Sequence, residues 1–390
     1  MSSSARFSSR VARRVMAPPP PYDRFFVITV LCILGLGLTM MASASVVISD
    51  RMWHQPFYYL YRQLAFLTVG VLVGSFVVQI ETPIWEKMGG FLLVTVVLLL
   101  ALVLIPGIGR TVNGSTRWIG FGLFGLQVSE AAKFVVVVYM AGYLIRRHVE
   151  IQSQFSGFLK PMLILAVISV LLLREPDFGA TVVIMSTALG MMFLAGMSLR
   201  HFVLLFVVIA IALSLIAISA PYRLLRLTSF LNPWANPFDS GYQLVQSLIA
   251  FGRGGWFGMG LGNSIQKLFY LPEAHTDFLF AVIAEELGLV GVLVVIGLYS
   301  LLVLRIFVIG RKAQLLNRGF AGLVAYGLGL WLAIQFIVSI GVNTGLLPTK
   351  GLTLPLMSYG GSSVIINCVV IALILRIDHE NRFRSIGLQV

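Results

Sequence analysis

The sequence predicts an all-α, polytopic integral membrane protein of about ten transmembrane helices, with a long outer loop between the seventh and the eighth. Two observations carry this. Hydrophobic residues make up 58% of the 390 and charged residues only 11%, whereas soluble domains carry about a quarter charged residues. The apolar residues also fall into successive runs near the roughly 20 residues that a spanning helix needs. These runs lie at 25–49, 64–80, 89–106, 127–145, 158–173, 178–196, 200–220, 278–304, 319–342 and 358–376. The fifth and sixth are separated only by Arg174, Glu175, Pro176 and Asp177, a tight turn with a proline stop.

The chain divides into a basic tail (1–24), a membrane domain (25–377) and a C-terminal tail (378–390). The first tail carries five arginines and the Pro18–Pro21 run, a solvated, partly polyproline composition. The following run, 25–49, is too long for a signal-peptide core and lacks a clear cleavage site, so it reads as the first span. The net charge of +13 is spread between apolar runs and not gathered on a soluble module, which argues against nucleic acid. With ten spans, 17 of the 28 Lys and Arg fall on the side of both termini and 10 on the other, Lys133 lying within a span. The positive-inside rule then puts both termini in the cytoplasm. The two cysteines, Cys32 and Cys368, both lie in apolar runs, so neither a disulfide framework nor a metal cluster is expected.

On this topology the stretch 271–288 (LPEAHTDFLFAVIAEELG) opens the eighth span on the outer face. It carries Glu273, His275 and Asp277 at the lip and Glu285 and Glu286 two turns deeper. Carboxylates at the mouth of an apolar helix are costly and mark functional candidates. At 100° per residue, Ala281, Ala284, Gly288 and Gly291 continue the Asp277 side. Such a small-residue stripe permits close helix approach or leaves space for a ligand. Glu285 flanks the stripe and Glu286 points away, so only Glu285 is a candidate to share a cavity with Asp277. The plain alternative for Asp277 is a carboxylate favoured by the helix dipole.

Cations fall on the same face. Glu130 and Lys133 stand at i, i+3 near the start of the fourth span, an ion pair or a cation facing a phosphate. Arg117, Arg253 and Lys350 lie in outer connections. Ser358, Gly360, Gly361 and Ser362 could present backbone amides to an anion, or simply form the flexible entry to the last helix. The 221–277 loop far exceeds ordinary connections, which points to function; its aromatic and apolar content suits packing on or into the membrane surface. Gly258, Gly260 and Gly262 resemble a nucleotide loop only superficially, because no βαβ unit surrounds them. Their expected role is close backbone approach; neither nucleotide nor haem is expected. Ser129 and Lys133 are one residue too far apart for an acyl-serine transpeptidase, and Thr349-Lys350-Gly351 reverses that class's second motif. Cations, one carboxylate and a glycine nest on the outer face suit a lipid-linked phosphate better than a permeating solute, whose site is usually near the midplane between repeats.

Several motifs resemble the SEDS family (shape, elongation, division and sporulation) over nearly the whole chain. They are 271–288, NPW at 232–234, GYQ at 241–243, GLGN at 260–263, EPD at 175–177 and LPTKGLTLPLMSYGGSS at 347–363. PTKG at 348–351 and LRIDHENR at 375–382 are closer to the division-type member than to the elongation type. The resemblance implies a ten-helix inner-membrane peptidoglycan glycosyltransferase that polymerises lipid II into β-1,4 glycan strands on the outer face during septal synthesis. It implies a class B penicillin-binding transpeptidase (FtsI-like) as partner, with other divisome proteins such as FtsQ, FtsL, FtsB and FtsN. It assigns the essential acid to Asp277, as general base or as ligand of a divalent cation (Mg or Mn), and a substrate-facing lysine to Lys133. The chain departs from the family at Gln127-Val-Ser-Glu130, where a proline is common, and at Gly125, where a basic residue is common. A lipid II flippase, an elongation-type polymerase and a recruiting scaffold are the competing readings.

Overall fold

The computed structural model describes residues 20–112, 115–121, 124–153, 155–218, 229–348 and 351–387. Lys350, most of the N-terminal tail and 219–228 of the long loop lie outside the described residues.

Each expected apolar run is a helix. They are α1 (Arg24–Trp53), α2 (Tyr58–Val77), α3 (Thr82–Val103), α4 (Val128–Arg146), α6 (Phe155–Arg174), α7 (Phe178–Leu194), α8 (Leu199–Ile218), α10 (Leu279–Leu315), α11 (Gly319–Asn343) and α12 (Gly361–Ser385), with the short α5 (His148–Ser153) between α4 and α6. Among the described residues eight are long and apolar enough to cross a membrane, and Phe178–Leu194 and part of α8 are shorter apolar helices. α4 is the central strut, with 83% of its apolar stretch buried, whereas α2 and α3 bury only 28% and face outward. Exposed Val71, Leu72, Phe91 and Leu98 mark that outer surface, as expected where lipid replaces water as the solvent.

Both chain ends meet on one face. Asp23 caps α1, accepting from Phe25 N at 2.9 Å and Phe26 N at 3.2 Å, and its own amide donates to Asp378 Oδ2 at 2.7 Å. Arg305 pairs with Asp23, and Arg382 donates to Asp378 Oδ2 at 2.8 Å. Glu380 accepts from Thr82 Oγ1 at 2.6 Å and Arg376 Nε at 2.6 Å and pairs with Arg318. This lattice ties α1, α3, α10, α11 and α12 together. It also reaches into the segment 378–390, expected as a C-terminal tail. Through Ser385 that segment is the end of α12, and Asp378, Glu380 and Asn381 are buried.

Two features depart from a plain helical bundle. Between α3 and α4 lies an antiparallel sheet in the order β1-β2-β3: β1 (Gly109–Val112), β2 (Ser115–Phe121) and β3 (Phe124–Gln127). It puts Arg117 on a strand, where a loop was expected. The second departure is α10, which is broken at Gly288 (φ 66°, ψ −164°). The loop helix α9 (Tyr242–Gly254) and the glycine-rich segment after it fill that break. Met259 N and Gly260 N donate to Glu285 O and Glu286 O at 2.9 and 3.0 Å, while Leu289 N and Val290 N donate to Gly255 O and Trp256 O at 2.9 and 3.1 Å. The backbone groups freed by the break are thereby satisfied inside protein, the condition for irregular backbone at membrane depth. A Cβ on Gly258 would stand 2.1 Å from Glu286 O, and one on Gly254 1.9 Å from Ala284 O. Close approach is therefore what these glycines do. The Ala284–Gly288 part of the small-residue stripe receives this backbone and not a ligand.

Candidate active site

Asp277 sits in the turn before α10, on the face opposite the termini. Asn343, at the end of α11, fixes that turn: its Nδ2 donates to Asp277 O at 3.0 Å and its Oδ1 accepts from Ala281 N at 3.1 Å. The Asp277 carboxylate is half-buried. Gly351 lies against it, so close that a Cβ there would be 2.7 Å from Oδ2. Burial, together with Glu273 and Asp177, pushes the Asp277 pKa up to about 7, against the opposing pull of Arg117. A half-buried carboxylate poised near neutrality is matched to general-base work.

The charges around it come from distant parts of the chain. Arg117 on β2 donates from Nε to Glu175 O at 3.2 Å and from NH2 to Pro176 O at 2.6 Å, so the strand grips the α6–α7 connector. Asp177 caps α7 by accepting from Ala180 N at 3.0 Å. Glu175 is wholly buried, and neither carboxyl oxygen has a hydrogen-bond partner among the described residues.

Glu130 and Lys133 form the expected i, i+3 pair at 2.7 Å, and Lys133 Nζ also donates to Gln335 Oε1 at 2.8 Å while lying 5.2 Å over the Trp331 ring. Gln335 passes the connection on, donating to Thr353 O at 2.9 Å. The segment 351–363 thus runs from Asp277 to the Lys133 pair as a seam. Ser358, Gly360, Gly361 and Ser362 fasten it. Ser358 Oγ accepts from Leu354 N at 3.0 Å, and Gly360 N donates to Gln63 Oε1 at 3.3 Å. Ser362 Oγ accepts from Gln127 N at 2.9 Å and donates to Gly125 O at 2.8 Å. Gly361 lies on the Phe66 ring, where a Cβ would be 2.7 Å away. The Gly360 amide expected to face an anion therefore already has a side-chain acceptor.

The remaining candidates hold the architecture. Glu285 accepts from Arg253 NH1 at 3.0 Å, Ser264 Oγ at 2.5 Å, and the amides of Ile265 and Gln266 at 3.1 and 3.2 Å. Glu286 accepts from Lys267 Nζ at 2.7 Å and Ser43 Oγ at 2.8 Å. Both carboxylates clamp the long loop onto α10, and Arg253 belongs to that clamp. The expectation that Glu285 shares the Asp277 cavity fails because its carboxylate is taken up by Arg253 and the loop segment 264–266 packed on that face of α10. His275 packs between Tyr59 (4.9 Å) and Tyr359 (5.7 Å), and burial holds its imidazole below the usual range against the pull of Glu273. Glu273 Oε2 accepts from Thr276 Oγ1 at 2.7 Å.

Among the described residues no three His, Cys, Asp or Glu side chains converge on a divalent cation, so a cation at this site would be held by Asp277 together with the phosphates of a substrate, the usual arrangement for Mg.

Fold and site together define a polytopic membrane protein with a poised, half-buried carboxylate on the face opposite its termini. A family model described as cell cycle protein (FtsW, RodA, SpoVE) matches residues 23–383. The chain belongs to this family, the SEDS family that its motifs resemble. It is 57% identical over 384 residues to the probable peptidoglycan glycosyltransferase FtsW of Legionella pneumophila, covering 98% of each chain. It is 56% identical over 359 residues to the protein of that name from Coxiella burnetii, covering 92% of this chain and 96% of the other. Among solved structures it resembles a chain of a peptidoglycan synthase complex that coordinates polymerization and crosslinking (TM-score 0.76, 28% identity, 93% and 99% coverage). It also resembles the rod shape determining protein RodA of Thermus thermophilus (TM-score 0.69, 29% identity, 92% and 97% coverage).

Proposed function

We propose that this chain is a peptidoglycan glycosyltransferase that joins lipid II units into β-1,4 glycan strands at the outer face of the bacterial inner membrane during septal wall synthesis. The observation that carries the reading is Asp277, a half-buried carboxylate whose pKa is pushed up to about 7, in a chain whose relatives bear that activity in their names over nearly their full length.

Asp277 takes the proton from the acceptor sugar's 4-hydroxyl as that oxygen attacks the anomeric carbon of the donor. The new C–O bond forms with inversion while the bond to the pyrophosphate breaks, and its electron pair leaves with the phosphate oxygen. Pyrophosphate departs without protonation, so one base suffices. Fixed positive charge aimed at the leaving group lowers the barrier. Arg117, which acts electrostatically on Asp277, is the foremost cation for this among the described residues. Lys133 contributes through the seam that its pair supports. Arg253 is committed to Glu285 and is not assigned to substrate.

Both termini face the cytoplasm in this reading, supported by the excess of Lys and Arg on their side. A class B penicillin-binding transpeptidase receives the strands, in keeping with the peptidoglycan synthase complex that one structural neighbour belongs to; division proteins of the FtsQ, FtsL, FtsB and FtsN type complete the assembly. The deciding experiment reconstitutes the purified chain and its partner with labelled lipid II, the partner's transpeptidase being blocked. Polymer is expected from the wild type and none from Asp277→Asn. Normal strand synthesis by Asp277→Asn sinks the base assignment, and failure of the wild type to polymerise sinks the activity.

A further inference from the structure

Glu175 is the buried ionisable group that the mechanism above leaves without a task. It lies in the α6–α7 connector, has no exposed surface, and neither of its carboxyl oxygens has a hydrogen-bond partner among the described residues. An ionised carboxylate cannot rest in that state, because its desolvation would go uncompensated. Like charge adds to the difficulty. Asp177, two residues on, is held as the cap of α7, and two neighbouring carboxylates resist ionising together. The nearby cation, Arg117, directs its hydrogen bonds to the main-chain carbonyls of Glu175 and Pro176 and not to the Glu175 carboxyl.

The connector matters because the same two groups face Asp277. Arg117 and Asp177 act electrostatically on both carboxyls, with Glu273 acting on Asp277 from its own turn. Arg174, beside Glu175 in the chain, is exposed and does not contribute to either. Burial pushes the Glu175 pKa up to about 8, with Asp177 adding to the rise and Arg117 opposing it. Were Glu175 ionised at neutral pH, its charge would compete with Asp277 for the field of Arg117. The pKa of Asp277 would then rise further and less of it would be ionised at neutral pH.

We propose that Glu175 is a positioning residue that keeps its proton in the working enzyme, so that the guanidinium of Arg117 is left to hold Asp277 ionised. The two carboxyls divide the roles by environment. The sealed one is the neutral group and the half-open one the base, a separation of proton affinities seen wherever one site runs acid and base forms together. The link to catalysis rests on the glycosyltransferase reading; the protonation of Glu175 does not.

Two measurements test this on the purified full-length chain, reconstituted with its partner where activity is read. Infrared difference spectra across a pH titration should show, in the wild type above pH 7, a protonated-carboxyl band that Glu175→Gln removes. Absence of that band, or its persistence in Glu175→Gln, overturns the proposal even if no polymerase activity is found. The second is the acid limb of the rate-against-pH profile. Glu175→Gln replaces a neutral group by a neutral isostere and should leave that limb in place. Asp177→Asn, which removes a real negative charge while keeping a good helix cap, should move it down by about half a pH unit or more. A downward move of the limb in Glu175→Gln comparable to that of Asp177→Asn would mean that Glu175 is ionised and would also overturn the proposal.

Discussion

Asp277 is poised by what surrounds it. A carboxylate whose pKa is pushed up to about 7 by burial, Glu273 and Asp177 is ionised above that pH and protonated below it. A base is active in its ionised form, so polymerisation should rise with pH through about 7 and flatten above it, measured with labelled lipid II in reconstituted membranes. Asp277→Asn should cost about 10²–10⁴-fold in rate, the usual contribution of a placed proton acceptor. No loss of thermal stability in detergent should accompany it, since removing a carboxyl whose folded pKa is raised can only favour the native state above about pH 4. Glu175 adds a stability effect with a definite sign. Its folded pKa of about 8 exceeds the ordinary value, so the unfolded chain gives up that proton first as pH rises. The native state therefore loses stability between about pH 4.5 and 8. Glu175→Gln removes this loss, and its melting temperature relative to wild type should climb across that window.

The most informative element is α10, a span broken by its own loop. Gly288 has a backbone conformation open only to glycine, and a Cβ would stand 2.3 Å from Gly258 N and 2.7 Å from Phe257 N. Gly288→Ala should cost more than about 1–3 kcal/mol, read as a fall in unfolding temperature in detergent. Just above the break, Glu286 and Lys267 are a buried pair whose side chains are 0% and 6% exposed. Glu286→Gln strands the lysine charge and should cost about 3–5 kcal/mol. A Glu286→Met/Lys267→Met double variant should recover much of that loss, because two apolar groups leave no charge uncompensated. These contacts were illegible in the sequence for a geometric reason. Glu285 and Glu286 precede the break, so their faces follow from the spacing, but what covers those faces is loop segment 253–267, whose return to the helix no local pattern records. The sheet from Gly109 to Gln127 was missed for another reason: its strands are four, seven and four residues long and rich in glycine. The Asn-Gly at 113–114 between two short runs was the available hairpin cue.

Across the whole molecule the two faces have different jobs. The face of the termini is held by an ion-pair lattice. Arg318 bonds Asn381 Oδ1 at 2.6 Å and Thr82 Oγ1 at 3.0 Å and pairs with Glu380, linking three helices. Arg318→Met should lower the unfolding free energy by about 1–3 kcal/mol, measured in detergent. Polymerisation by the folded fraction should be unaffected, since the lattice and Asp277 sit at opposite ends of α10 and α11. The other face carries strained and sparsely paired groups, among them Glu175, Asp277 and the glycine-filled break, where conformational and electrostatic cost is spent on function.

The sequence by itself determined the membrane class, the ten helical runs to within a few residues at most ends, and the position of Asp277 at the lip of the eighth span. These are legible because hydropathy and helix periodicity are local properties, read over about 20 residues. Tertiary structure alone decided which groups meet Asp277. Arg117 arrives on a strand between α3 and α4, Asp177 from the α6–α7 connector and Gly351 from the seam before α12. Each lies more than 70 residues from Asp277 in the chain, and only the packing of the helices brings them to it. The same packing turned Glu285 and Arg253 from site candidates into a clamp, and left the Glu175 carboxyl sealed, with no hydrogen-bond partner among the described residues, in the connector that Arg117 grips.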